Sequence, residues 1–197
     1  MSKKSKGASG STPTTVYQLK ITLNDVDPPV WRRVQVGDCS LAELHDIIQA
    51  CMGWGNCHLY AFDVDGVEYS DPEMGDDADY CDSRSRKLSQ LAHQGPSSFT
   101  YQYDFGDDWE HVVEIEKTLP LEPKAKYPRC IDGKRACPPD DCGGAYGYEE
   151  FLEAIQDREH EEHDEMLEWV GGKFDPEAFE TNRVNRALQR LRRGRSG

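Results

Sequence analysis

Phe99-Thr100-Tyr101-Gln102-Tyr103-Asp104-Phe105-Gly106-Asp107-Asp108-Trp109-Glu110-His111-Val112-Val113-Glu114-Ile115 is the stretch that decides the fold class. Apolar and polar residues alternate on both sides of an Asp/Gly-rich centre. A period of two places Phe99, Tyr101 and Tyr103 on one face of a first strand, and Trp109, His111, Val113 and Ile115 on one face of a second. Asp and Gly between them supply the turn, because Asp tolerates left-handed backbone and bonds its own loop amides. The reading is an antiparallel hairpin over Phe99–Asp104 and Trp109–Lys117.

Upstream the signal repeats. Val16–Asn24 alternates through Tyr17, Leu19, Ile21 and Leu23 and reads as a strand. The Asp27-Pro28-Pro29 turn leads to a second strand, Val30–Val36. Ser40 with Glu43 forms a capping box that starts a helix. Leu41, Leu44, Ile47, Ile48, Cys51 and Met52 make its apolar stripe, and Gly53 and Gly55 end it around Trp54. His58–Val64, the Asp65-Gly66 turn and Val67–Tyr69 read as a further hairpin. Ser70–Arg86 is polar and acidic with no period, a loop. Pro120–Pro139 is loop-rich.

Downstream three helices are predicted. Tyr148–Asp157 is short and amphipathic. Glu159–Trp169 is acidic and stops at Gly171-Gly172. Asp175 caps a last helix with Pro176 at its first position, and Phe179, Val184, Leu188 and Leu191 face the body. The fold class is α+β: antiparallel strands and hairpins packed against helices, with a helical C-terminal third. The expected organisation is a disordered tail over 1–15, a single domain over 16–192 and a disordered basic end over 193–197.

Composition limits the function classes. Hydrophobic residues make up 37% of the 197-residue chain and charged residues 30%. No apolar run approaches the roughly 20 residues that span a bilayer. The Lys/Ser/Gly/Thr-rich N-terminus has no apolar secretory core, so cytoplasmic location is the expectation. Seven cysteines, an odd number, argue against a disulfide framework and for reduced thiols, a metal site or both. The net charge is −14. Every Asp and Glu lies between Asp25 and Glu180, while Arg183, Arg186, Arg190, Arg192, Arg193 and Arg195 follow. A body that acidic disfavours nucleic acid, although Arg183, Arg186 and Arg190 could touch a phosphate backbone. The alternative is a helix end whose cations suit the macrodipole.

The chemistry-bearing residues gather in two segments. Asp104, Asp107, Asp108 and His111 could hold a divalent metal through carboxylate oxygens, with the imidazole favouring zinc, manganese or iron. A metal-bound water there could hydrolyse a phosphoester. Against this, the acids can serve the turn and His111 can be a core residue. Cys130, Cys137 and Cys142 offer three thiolates for zinc, with His111, Cys57 or Cys81 as a fourth ligand. Their spacing, C-x6-C-x4-C, is wider than paired zinc cysteines, so a packed loop of reduced thiols is the competing reading. His45 and His58 form a cluster with His111 only if the fold joins them. His160 and His163 are spaced i,i+3 on an acidic face and do not make the HExxH pattern. Gly143-Gly144-Ala145-Tyr146-Gly147 leads into a helix without any nucleotide-binding glycine pattern.

These residues resemble the plasmid pRiA4b ORF-3-like family, also described as insertion-element passenger proteins, TnpR-type by name. The likeness runs from about Val16 to Leu191. It rests on Val16–Ile21, Pro29-Val30-Trp31-Arg32-Arg33, Leu44–Gln49, Met52-Gly53-Trp54, His58–Phe62, Tyr103–His111, Cys137–Gly144, Asp175–Phe179 and Asn185. It implies an α+β fold and a mobile-element setting, and supplies no reaction. No serine-recombinase pattern accompanies it. The expected function is a non-enzymatic accessory or interaction module. Its partner-binding surface, for a protein partner, would comprise Asp104, Asp107, Asp108, His111, Pro138, Pro139, Asp140, Asp141, Gly143, Gly144 and Tyr148. The alternatives are a metal-dependent phosphoester hydrolase and, more weakly, DNA binding through the C-terminal helix.

Overall fold

A computed structural model describes residues 15–72 and 80–194. Most of the expected N-terminal tail and the last three residues of the basic end, Arg195 included, lie outside the described residues. Thr15 already opens a strand.

The elements run β1 (Thr15–Leu23), β2 (Trp31–Gly37), α1 (Leu41–Met52), β3 (Tyr60–Val64), β4 (Val67–Ser70), β5 (Cys81–Asp82), α2 (Leu88–Gln94), β6 (Ser98–Tyr103), β7 (Trp109–Pro120), β8 (Arg129–Lys134), α3 (Gly144–Gln156), α4 (His163–Trp169) and α5 (Thr181–Gly194). The strands form one eight-stranded sheet in the order β5-β4-β3-β6-β7-β1-β2-β8. All neighbours are antiparallel except β4 and β5. The fold is α+β, as the alternating pattern predicts.

The Phe99–Ile115 hairpin lies at the centre of this sheet. Tyr101 faces His111 and Tyr103 faces Trp109 across β6 and β7. Beyond β7, Leu23 of β1 stands opposite His111, and beyond β6, Tyr60 of β3 stands opposite Tyr103. Central strands bury both the backbone ladder and large rings, so Trp109, Tyr101, Tyr103 and His111 are essentially sealed from solvent. The capping box of α1 is complete: Glu43 N donates to Ser40 Oγ at 3.2 Å and Ser40 N donates to Glu43 Oε2 at 2.8 Å. Such a cap contributes about 1 kcal/mol. The helix ends at Gly53 with φ 94°, which sets the direction of the loop that follows.

Several boundaries differ from the sequence reading. The Ser70–Arg86 loop contains the short β5, and α2 follows it, anchored by buried Leu88 and Leu91. The Pro120–Pro139 region contains β8, an edge strand whose long β2 pairing overrides its weak propensity. The α3 helix starts at Gly144, not Tyr148, and α4 at His163, not Glu159. Asp175 does not cap the last helix. Its Oδ1 accepts from Glu177 N at 3.0 Å and its carbonyl from Ala178 N at 3.1 Å, an isolated turn. The chain then straightens so that Phe179 packs on the Arg32 guanidinium, 4.7 Å from ring centroid to Cζ, and α5 begins at Thr181. Val184 and Leu188 bury its inner face. Among the described residues, no helix is long and apolar enough to cross a membrane.

Candidate functional site

Three loops meet at one end of the central hairpin: residues 53–59 after α1, 104–108 between β6 and β7, and 135–143 before α3. Named bonds clamp them together. Trp54 Nε1 donates to Pro138 O at 3.0 Å, and Gly55 N donates to Asp140 Oδ2 at 2.9 Å. Gly143 N donates to Asp107 Oδ2 at 3.1 Å. Asp104 N donates to Leu59 O at 2.8 Å, and Cys57 N to the Tyr103 hydroxyl at 3.1 Å. Gly144 has φ 71°, and a Cβ there would sit 2.4 Å from Asp107 O. Only glycine lets the two loops approach that closely.

At this junction His58, Asp104 and Asp141 converge. His58 Nε2 lies 3.0 Å from Asp141 Oδ1 and 3.6 Å from Asp104 Oδ2. One ligand atom from each residue lies within 4.8 Å of the others, the sole such group of three or more His, Cys, Asp or Glu side chains among the described residues. Local structure aims the carboxylates. Asp104 adopts φ 56° and spends Oδ1 on Gly106 N at 3.0 Å, which leaves Oδ2 toward His58. Asp141 adopts φ 60°. Left-handed backbone at a residue with a Cβ costs about 1 kcal/mol, and it recurs at Asp104, Asp108 and Asp141. The His58 ring meets Tyr103 edge-on, with centroids 5.8 Å apart, so the buried tyrosine sets its position.

A cleft of about 380 Å³ opens beside His58, lined by His45, Asp46, Asn56, Tyr60 and Asp71. His45 stacks on Tyr60 with centroids 3.7 Å apart. Its Nε2 is 2.6 Å from Asn56 Oδ1, so Nε2 carries the proton and Nδ1 accepts from the Tyr101 hydroxyl at 2.8 Å. Burial lowers its pKa. With both nitrogens used, His45 is a wall of the cleft and not a ligand.

His111 has another role. It is fully buried, and its Nδ1 lies 3.0 Å from Trp109 O and 3.2 Å from Tyr101 O. Nδ1 therefore donates, and Nε2 is left without a partner. Burial pushes its pKa down to about 4. The ring is a neutral core element beneath Trp54, with centroids 5.4 Å apart, and it meets neither His45 nor His58 as a ligand cluster.

The remaining residues singled out in the sequence divide. Asp107, Asp140, Pro138, Gly143 and Gly144 hold the junction together, as described. Pro139 is half-buried in the same loop. Asp108 Oδ1 accepts from Gln102 Nε2 at 2.5 Å. Tyr148 is buried beneath the α3 start, and desolvation pushes its hydroxyl up to about 12. The set Cys130, Cys137, Cys142 and His111 is not brought to common ligating distance. Cys130 lies on β8, with Sγ donating to Asp132 O at 3.3 Å, while Cys142 Sγ reaches Gly144 O at the start of α3, 3.9 Å away. Burial raises both thiols, Cys130 to about 11 and Cys142 to about 12, which favours the protonated form. His160 and His163 precede and open α4 with separate partners, Glu162 N and Ala154 O. Arg183, Arg186 and Arg190 are exposed on α5.

His58 is the residue of this cluster that sequence reading underweights. The antiparallel pairing of Tyr60 with Tyr103 is the signal for it: two residues before Tyr60 must fall beside the 104–108 turn.

A family model described as plasmid pRiA4b ORF-3-like protein matches residues 15–183. The uncharacterized protein y4hQ of Sinorhizobium fredii (strain NBRC 101917 / NGR234) is 42% identical over 184 residues, covering 90% of this chain and 92% of that protein. The crystal structure of MM3350 from Methanosarcina mazei Go1, a protein of unknown function, matches with a TM-score of 0.78 and 38% identity. It covers 87% of this chain and 98% of that one.

Proposed function

The chain belongs to the plasmid pRiA4b ORF-3-like family, and on that premise we propose that it is an accessory binding module that works through the three-loop junction and takes a divalent cation on His58, Asp104 and Asp141. The observation that carries this reading is the convergence of one imidazole and two carboxylates from three separate loops, within 4.8 Å of one another. One nitrogen and two oxygens suit Mn²⁺, Fe²⁺ or Zn²⁺ better than Ca²⁺, which prefers six or more oxygens. Three protein donors leave coordination positions open for water or for a group from a partner.

Charge selects the partner. Asp46 and Asp71 line the adjoining cleft, so together with Asp104 and Asp141 four carboxylates oppose the two charges of a bound ion. That balance favours a basic side chain of a protein partner over a phosphate. The exposed arginines of α5 lie on an otherwise acidic chain, which argues the same way against nucleic acid. The mobile-element setting belongs to this reading through the family description alone.

Calorimetric titration of the protein with MnCl₂ and ZnCl₂ tests the site. One ion per chain is expected, with affinity lowered by about tenfold or more in Asp104→Asn and in His58→Gln. No saturable binding, or binding unchanged in both variants, would remove the proposal. A second reading, metal-assisted phosphoester hydrolysis, draws on the open coordination positions. Turnover of bis(p-nitrophenyl) phosphate by the Mn²⁺-loaded protein, lost in Asp104→Asn, would place it first.

A further inference from the structure

Two adjacent arginines on β2 have opposite surroundings. Arg33 points to acids: its Nε and Nη2 each bond Glu116 at 2.8 Å, and its Nη1 reaches Asp132 at 3.3 Å. Arg32 points the other way into the body and is 3% exposed. Its Nε donates to Cys51 O at 3.1 Å, and its Nη1 donates to Trp31 O and Lys134 O, each at 2.9 Å. These are carbonyl dipoles, not charges. The Phe179 ring covers one face of the guanidinium, and among the described residues Nη2 meets no hydrogen-bond acceptor and no carboxylate forms an ion pair with Arg32. Burial holds the neighbouring Cys51 and Cys137 as neutral thiols, their pKa values raised far above the ordinary one, so they supply no counter-charge.

A guanidinium this buried is costly unless an anion meets it. Arg32 lines a cavity of about 610 Å³ between α1, the 137–140 loop and α5. The other walls include Trp54, Trp169, Phe174 and Phe179, and Lys173 and Arg183 stand at the exposed rim. Asp140, Asp175 and Glu180 also border it. Asp140 is turned to Gly55 N and Asp175 to Glu177 N; the carboxylates keep their charge, which Lys173 and Arg183 offset at the rim while Arg32 lies deeper. The space combines one deep cation that meets no anion among the described residues with several aromatic surfaces, the features of a small-molecule site in which a few polar groups fix orientation and apolar walls supply affinity.

We propose that this cavity binds an organic anion, a carboxylate or phosphate carried on a flat apolar body, with Arg32 Nη2 as its anchor and the aromatic rings as its walls. The anion is held end-on through Nη2, because Nε and Nη1 are committed to carbonyls and a two-nitrogen fork is not on offer. The site shares no residue with His58, Asp104 and Asp141, so the two stand or fall separately.

Trp54 and Trp169 make their own reporters. Tryptophan fluorescence and amide chemical shifts of the full chain would be followed during titration with sodium benzoate, indole-3-carboxylate and phenyl phosphate. Benzyl alcohol is the uncharged control and inorganic phosphate the control without a ring. Saturable binding of at least one ring-bearing anion is expected, at least tenfold tighter than either control, with shifts centred on residues 50–54 and 169–187. The carboxylate and phosphate arms identify which head group the pocket prefers. Ala187→Phe is the deciding variant, because it fills the cavity from α5 and leaves the carbonyl bonds of Arg32 untouched; it should weaken binding at least tenfold. Absence of saturable binding by all three ring-bearing anions would overturn the proposal. So would equal binding of benzyl alcohol, or affinity unchanged in Ala187→Phe.

Discussion

The interior around His111 and the junction around His58 each hold one imidazole beside a tyrosine, and the two behave in opposite ways. His111 stands between Tyr101 and Leu23 in the middle of the sheet, donates to backbone carbonyls and stays neutral. His58 lies two residues outside β3, half-exposed, with two carboxylates within 3.6 Å. The first imidazole is fixed by a regular ladder on both sides. The second is fixed by loops held in left-handed backbone at Asp104 and Asp141. The histidine that meets two carboxylates is the one on a strained, partly exposed loop, and not the one the sequence places beside its acids.

The largest expected effect is on the frame of the junction. Gly144→Val places a branched side chain against Asp107 O, at a backbone angle valine avoids. Urea unfolding should show a loss of about 3 kcal/mol or more, with cation affinity falling in parallel. A loss below about 1 kcal/mol would mean that the 104–108 and 142–147 segments are not held as described.

Acid should weaken the His111 side of the comparison next. The folded pKa of His111 is depressed to about 4 from an ordinary 6.5, so the unfolded chain binds this proton more readily than the folded one. Its contribution is therefore complete above pH 6.5 and is lost as pH falls from 6.5 to 4, by up to about 3 kcal/mol. His45, also lowered by burial, adds to the same window. The difference in urea midpoint between pH 7 and pH 4.5 should shrink in His111→Phe. Below pH 4.5 a second, smaller decline is expected. Glu116, held down to about 2 chiefly by its bond to Arg33, then takes up its proton. Glu116→Gln should remove that phase.

A smaller effect concerns the clamp. Trp54→Phe removes the bond to Pro138 O and should cost about 1 kcal/mol while loosening the junction. The smallest is the mirror image of the His111 result. His58→Gln should change stability by less than about 0.5 kcal/mol, because the side chain is partly exposed at a loop and no part of the core.

Much of this fold was legible in the chain. The alternation of Phe99–Ile115 and Val16–Leu23, the capping box at Ser40 and the Asp65-Gly66 turn each specify local structure through local chemistry. What escaped depends on distant pairing. The β8 strand exists because β2 offers it an edge, and Asp175 heads an isolated turn because Phe179 is drawn onto Arg32. The site shows the same division. Asp104 and Asp141 were legible as acids in turns. Their meeting with His58, and the isolation of Cys130 from Cys142, follow from topology that no spacing encodes. The opposite surroundings of Arg32 and Arg33 were equally hidden, because a strand sends neighbours to opposite faces while sequence cannot say which face holds the acids.

The most direct test follows the imidazole ring signals of the histidines by heteronuclear NMR while MnCl₂ is added in substoichiometric steps. The paramagnetic ion broadens whatever lies beside it. His58 is expected to vanish first, His45 to weaken next across the cleft, and His160 and His163 to persist. If His160 and His163 broaden first, or if no ring responds before the ion is in large excess, the cation site at the three-loop junction is contradicted.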